Sequence, residues 1–255
     1  MTASKSFRTR IAESHFVWKL YHLFVADAVS LQKPTKYKII YSFLGGNLGR
    51  AADIGCGPGV FIRHLSKRAS KVFAADIDAA ALQRVKARNR GVTNLECVVT
   101  LANHLPFTDS SLDTVLLLEV LEHLEDDAAG VREVCRVLAS GGKLVLSVPV
   151  PPGEINEGDP WGHKREGYQL DQIRSLVESN GFLVLDYGFA QFKFSRLAEK
   201  MVQRWRRWFH LPAPIFLSWL GYLDHLLGSE GRRRGDYHPS TVVVMARKKE
   251  DAWVR

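Results

Sequence analysis

Three glycines stand at every second position in the run Asp53-Ile54-Gly55-Cys56-Gly57-Pro58-Gly59, straight after the short apolar lead-in Ala51-Ala52. Alternate glycines strip one face of a strand-to-helix turn of its side chains. A ligand can then lie against backbone N–H groups and the positive end of the following helix. Asp53 adds a fixed negative charge at the strand tip, which suits a ligand carrying an ammonium and repels a phosphate. Further on, Val72-Phe73-Ala74-Ala75-Asp76 reads as an apolar strand ending in a carboxylate that can take two ribose hydroxyls. Loop, helix and second strand together describe a nucleoside site without phosphate chemistry. The plainer alternative is an ordinary tight turn.

A second constellation is Glu119-Val120-Leu121-Glu122-His123. On one helical turn Glu119, Glu122 and His123 would converge, since i and i+3 share a face and i+4 lies close by. With one more histidine they would form an O,O,N,N set suited to a divalent ion. His163, in Trp161-Gly162-His163-Lys164-Arg165, is the candidate to supply it. Two other roles stay open: His123 or His163 as a metal-free base, or purely structural use of the acids and histidines. Lys164, Arg165 and Tyr168 in the same segment can meet an acidic acceptor or simply be solvated.

These motifs resemble the class I S-adenosylmethionine-dependent methyltransferases. The resemblance continues through Leu105-Pro106-Phe107, Asp113 to Glu119, and Ser140-Gly141-Gly142-Lys143-Leu144-Val145-Leu146, and covers roughly residues 48–190. It implies cosubstrate contacts from Asp53, Gly55, Gly57, Gly59 and Asp76, with Ile77 and Glu119 alongside. Many members carry an acid after the third strand that meets the adenine amino group. Here that position is Leu101, so adenine recognition passes to backbone groups near Leu101 and Ala102. The E-x-x-E-H run is similar to that of ubiquinone-biosynthesis O-methyltransferases and of small-RNA 2′-O-methyltransferases. That likeness implies Glu119, Glu122 and His123 as ligands of a divalent metal such as Mg²⁺, with His163 as a fourth. In other members the glutamate caps the next helix and the histidine packs beneath the cosubstrate.

The elements that must position these residues follow from the hydrophobic spacing. Strands are predicted at about 50–54, 71–76, 94–99, 113–118, 143–148, 182–189 and 240–247, and helices at about 58–69, 79–90 (capped by Asp78), 126–139 and 170–180. Gly141-Gly142 is expected to end the third of those helices. The alternation specifies an α/β, doubly wound, mostly parallel seven-stranded sheet, Rossmann-like, with ligands at the carboxyl ends of the strands. The resemblance places the last strand antiparallel beside strand six. Four segments are expected: an N-terminal helical cap over 1–47, a cosubstrate-binding core over 48–190, a helical lid or interfacial insertion over 191–237, and the last strand and tail over 238–255. The cap holds an amphipathic helix at 13–31 and a second short helix near 35–44.

Length and composition fit one elaborated globular domain, with 46% apolar and 24% charged residues among 255. Three cysteines without a C-x-x-C pattern argue against a disulfide framework or a zinc site and suit a reducing, cytoplasmic setting. The net charge of +8 is uneven: +6 over 1–50, −5 over 51–192 and +7 over 193–255. In the insertion, Phe192, Leu197, Met201, Trp205 and Trp208 alternate with Lys193, Arg196, Lys200, Arg204, Arg206 and Arg207. An apolar stretch from Ile215 to Leu227, too short to span a bilayer, carries Trp219 and Tyr222. Residues 192–227 therefore read as a lid over the substrate, a peripheral membrane contact, or an oligomer contact. The expected function is methyl transfer to an oxygen of a small or lipid-linked acceptor. The rivals are an RNA 2′-O-methyltransferase, against which stands the lack of any RNA-binding module, and a non-catalytic cosubstrate-binding regulator or partner subunit.

Overall fold

The computed structural model describes residues 34–151, 162–190 and 241–250, with helical positions at 201, 204 and 208. The expected helix at 13–31 and the insertion over 191–237 fall outside the described residues, those three positions excepted. Two compact units divide the chain, Ile39–Phe189 with Ser240–Arg255, and Met1–Lys38 with Ala190–Pro239. The sheet belongs to the first of them. Among the described residues no helix is long and apolar enough to cross a membrane.

Among the described residues thirteen elements follow one another, and the strands are β1 (Gly49–Ile54), β2 (Ala69–Asp76), β3 (Leu95–Val99), β4 (Leu112–Leu118), β5 (Leu138–Pro149), β6 (Phe182–Ala190) and β7 (Thr241–Lys248). The helices are α1 (Pro34–Phe43), α2 (Ile62–Ser66), α3 (Ala79–Arg88), α4 (Asp127–Val137) and α5 (Leu170–Ser179), with a 3₁₀ turn at Leu121–His123. The sheet order is β3-β2-β1-β4-β5-β7-β6. β1 pairs in parallel with β2 and β4, β2 with β3, and β4 with β5, whereas β7 runs antiparallel to β5 and lies between it and β6. The chain therefore reverses its winding between β3 and β4, and the carboxyl ends of β1 and β4 meet at that switch point.

Central strands read as apolar runs because both faces are covered. Residues Val115, Leu116 and Leu117 of β4 and Ala51 to Ile54 of β1 are all buried. Helix α3 starts where Asp78 accepts the Ala80 N–H, and α4 where Asp126 accepts the Ala129 N–H. Right-handed crossovers put α2 and α3 on one face and α4 on the other.

Two boundaries differ from the expectation. Helix α2 has five residues rather than the dozen over 58–69, because turns closing Gly59 N–H onto Cys56 O and Ile62 N–H onto Gly59 O use up the start. At the far end β2 begins as early as Ala69, paired with Gly49. The second difference is at Gly141-Gly142, which does not end a helix. Helix α4 stops at Val137, and Leu138 is already extended and pairs with Leu112. The register then shifts, so that Thr114 opposes Lys143, with Gly141 at φ +71°.

The β3–β4 link holds no helix and is tied down by side chains instead. Arg136 donates to the carbonyls of Leu105 and Phe107 and pairs with Asp109 at 2.6 Å and Glu133 at 2.7 Å. Glu133 also accepts the Leu105 N–H at 2.7 Å, and the Arg136 contacts hold its carboxyl below the ordinary range. Arg136→Met removes four partners at once and should cost about 2–3 kcal/mol in urea unfolding. A loss below about 0.5 kcal/mol would show that the link is held some other way.

Candidate functional site

The glycine loop, the tips of β2 to β4 and the segment 162–168 form the candidate site. Gly55, Gly57 and Gly59 all have positive φ, at +69°, +49° and +72°, but each is required for a different reason. A Cβ on Gly55 would run into Val120 Cγ2, and one on Gly59 would come within 2.9 Å of Val85 on α3. Those two glycines let backbone pack against protein. A Cβ on Gly57 would meet nothing within 4 Å, so no protein atom among the described residues fills the space above it. The short α2 begins only at Ile62, and the loop's own N–H groups matter more here than the helix end foreseen from the sequence.

Asp76 holds this loop in place. Its Oδ2 accepts the Gly57 N–H at 2.7 Å and its Oδ1 the Asp78 N–H at 2.9 Å. Each oxygen keeps a second lone pair for a ligand hydroxyl. Asp53, at the tip of β1, is buried, and its carboxyl is pushed up to about 7, by burial first and then by the negative charge of Asp76. The fixed negative charge expected there is thus conditional. At neutral pH Asp53 is part-protonated until a cation stabilises its charge.

Next to Asp76, Ile77 is 68% exposed, and past the end of β3 Leu101 is 51% exposed. The turn that carries Leu101 and half-buried Ala102 is closed by a bridge from Leu101 to His104 and by Thr100 donating to the His104 carbonyl. Thr100 N–H, bonded to Asp76 O at 3.0 Å, ties it to β2. Two exposed apolar side chains at neighbouring strand tips suit the faces of a planar base.

At the tip of β4 the structure departs from the helical-turn expectation. Glu119 adopts φ +55°, which turns the chain sharply before the 3₁₀ turn, so Glu119 and Glu122 do not sit on one helical face. The Glu119 carboxylate instead accepts from Ser147 Oγ on β5 at 2.7 Å, while its N–H bonds Ser147 O. Glu122, His123 and His163 offer one ligand atom each within 4.8 Å of one another, and Glu119 lies outside that group. As a correction, the expected four-ligand set reduces to three. Glu122 is buried, and the His123 and His163 rings stack with centroids 4.7 Å apart. One carboxylate with two imidazoles fits magnesium poorly, since that ion takes oxygen ligands; it matches a borderline divalent ion better.

His163 reaches His123 because the segment after it is locked down. Lys164 N–H bonds Glu122 O at 2.8 Å, and Lys164 pairs with Glu125. Arg165 pairs with Asp127 and donates to the carbonyls of Leu124 and Glu125. The Tyr168 hydroxyl donates to Asp127 at 2.8 Å, and burial, with Asp127 adding to it, raises the phenol's pKa. Arg165 and Tyr168 are therefore engaged within the protein, Tyr168 buried and Arg165 part-exposed. Sequence reasoning missed Asp127 and Ser147. A polar residue inside the apolar run Leu146-Ser147-Val148 was the available signal for the second.

A sequence model described as a methyltransferase domain matches residues 52–146. A protein of Mycobacterium tuberculosis named as a probable S-adenosylmethionine-dependent methyltransferase is 32% identical over 155 residues, 58% of this chain and 54% of that one. A ubiquinone biosynthesis O-methyltransferase of Alkalilimnicola ehrlichii is 31% identical over 117 residues, 45% of this chain and 47% of its own length. The chain spans about half the length of the curated relatives it matches. Among solved structures, a methyltransferase from Aquifex aeolicus superposes with a TM-score of 0.55 at 16% identity, covering 88% of this chain and 97% of that one. The N-methyltransferase NodS of Bradyrhizobium japonicum, in complex with S-adenosyl-L-homocysteine, gives 0.54 at 14%, covering 97% and 94%. At these identities the likeness is one of fold.

The buried Asp53 makes stability depend on pH in a definite direction. Folded, it keeps its proton to about pH 7; unfolded, it loses it near 3.8. In that window the folded state binds more protons, so stability falls as pH rises through it. Asp53→Asn should flatten that slope and gain more stability at pH 8 than at pH 5 in urea titrations. An unchanged slope would mean that Asp53 is ionised in the folded protein.

Proposed function

We propose that this chain is a class I S-adenosylmethionine-dependent methyltransferase, as its match over 52–146 supports, and that it moves a methyl group from S-adenosylmethionine to an oxygen of a small or lipid-linked acceptor. The observation that carries the reading is the empty face over Gly57 beside the spare lone pairs of Asp76. S-adenosylmethionine supplies a methyl group that is already activated as a sulfonium. The protein's task is then alignment of the two reactants.

In this reading Asp76 takes the ribose hydroxyls without giving up Gly57 or Asp78. Asp53 ionises against the ammonium of the methionine moiety. Ile77 and Leu101 cover the faces of the adenine, with the backbone at Leu101 and Ala102 meeting its edge. An oxygen acceptor must lose a proton, and His123 and His163 are the bases within reach of the carboxyl end of β4. The O-methyltransferase named among the relatives supports an oxygen acceptor. The aromatic and basic side chains over 191–237 favour a bulky, apolar one.

Calorimetry tests the cosubstrate site. Asp76→Ala should weaken S-adenosylmethionine by about ten- to a hundredfold, since two hydrogen bonds to a charged acceptor are lost. Gly57→Ala should fold, at a cost of about 1–2 kcal/mol for a side chain at positive φ, yet lose binding because its methyl fills the ligand space. Valine there would add β-branched strain. Normal affinity in both variants would remove the assignment.

A second reading, in which Glu122, His123 and His163 hold a divalent ion, is favoured by their grouping within 4.8 Å. Turnover of prenylated phenols in excess chelator separates the two. With histidine bases, activity persists in chelator, and His123→Gln or His163→Gln lowers it by about a hundredfold or more with cosubstrate binding intact. With a metal, chelation abolishes activity and Mn²⁺ restores it. Cosubstrate binding with no turnover of any acceptor would favour a regulator.

A further inference from the structure

We propose a second ligand site on this molecule, for a small aromatic carrying one carboxylate, in the groove over the amino-terminal halves of β1, β2 and β3. It is independent of the reading of the methyl-transfer site. The groove exists because the β3–β4 link carries no helix, so the face of these strands opposite α2 and α3 lacks the cover that α4 gives further along. Its volume is about 760 Å³, within the usual range for small-molecule sites. Asp76 lies three residues beyond Phe73 along β2, so the groove's centre is roughly 10 Å from the nucleoside end of the strand.

The groove has a floor for one ring and a charge pattern that needs an anion. Half-buried Phe107 and the edge of Phe73, itself only 6% exposed, line the floor, their centroids 5.0 Å apart at 60°. Arg50 and Lys71 are direct cross-strand partners in the β1–β2 register, so two cations sit side by side, which is unfavourable without a counter-ion. Both lean over Phe73, at 5.7 Å and 5.8 Å from its centroid. Lys71 has an ion-pair partner, Glu96 at 2.9 Å. Apart from that contact with Phe73, the Arg50 guanidinium has no ion pair or hydrogen bond among the described residues; it is the backbone N–H of Arg50 that Asp113 accepts. A planar guanidinium held at the mouth of an aromatic-floored groove is matched by a carboxylate on a flat ring. Glu96 opposite limits the ligand to a single negative charge.

Fluorine NMR with 4-fluorobenzoate on the full chain tests this. The ligand resonance should broaden and saturate on titration. Arg50→Gln should weaken binding about tenfold, the value of one charge-assisted contact, whereas Glu96→Gln, which lifts the repulsion, should tighten it. Both positions are exposed, so neither change threatens the fold. Neutral 4-fluorobenzamide should bind more weakly than the acid, and saturating S-adenosylhomocysteine should leave the titration unchanged. The proposal is overturned if wild-type protein shows no saturable effect into the millimolar range. Equal binding by Arg50→Gln would overturn it too. Displacement by S-adenosylhomocysteine would overturn it as well, by placing the acid in the methyl-transfer site.

Discussion

The carboxylate of Asp76 is the point on which the rest of the site depends. It closes the glycine loop onto the end of β2 through Gly57, and it fixes the start of the next connection through Asp78. A loop with three residues at positive φ has little local preference for one shape, so a charged acceptor at hydrogen-bond distance selects it. The same charge helps hold the proton on Asp53. One group thus sets the shape of the cradle and the electrostatics of the strand tip beside it.

The tip of β4 shows a second kind of constraint. Glu119 occupies a backbone region costly for a non-glycine residue, and Ser147 engages both its side chain and its N–H. Strain of this kind persists where surrounding contacts over-determine it. Here it swings the chain out of β4 so that the 3₁₀ turn delivers Glu122 and His123 to one place. His163 comes to the same place from far along the chain, carried by the Arg165, Tyr168 and Asp127 network. The cluster is the product of two separate anchors.

Replacement of a helix by a side-chain clamp between β3 and β4 has consequences at both ends of that link. Near its start it presents Leu101 and Ala102 at the strand tips, and near its end it borders the open groove. Arg136 and Glu133 hold the span between them. A helix in this position would have covered Lys71, whose side chain is part-exposed.

Much of this was legible in the amino-acid order. Strand and helix alternation, the glycine spacing and the carboxylates at 53 and 76 determine the α/β class and the place of the candidate site, because both rest on local periodicity and on residue types suited to one task. Asp78 as a cap is of that kind. Tertiary structure decided what depends on distant partners. The charge state of Asp53 follows from burial and from Asp76, which no spacing reveals. Glu119 carries the residue type of a ligand, yet its backbone turns it to Ser147, a residue 28 positions away. Arg165 and Tyr168 look like acceptor-facing polar residues until Asp127 is seen to hold them. Gly141-Gly142 resembles a helix stop, but pairing with β4 draws the strand back to Leu138. In each case a long-range contact outweighed a local preference of smaller energy, and the sequence alone holds only the local preference.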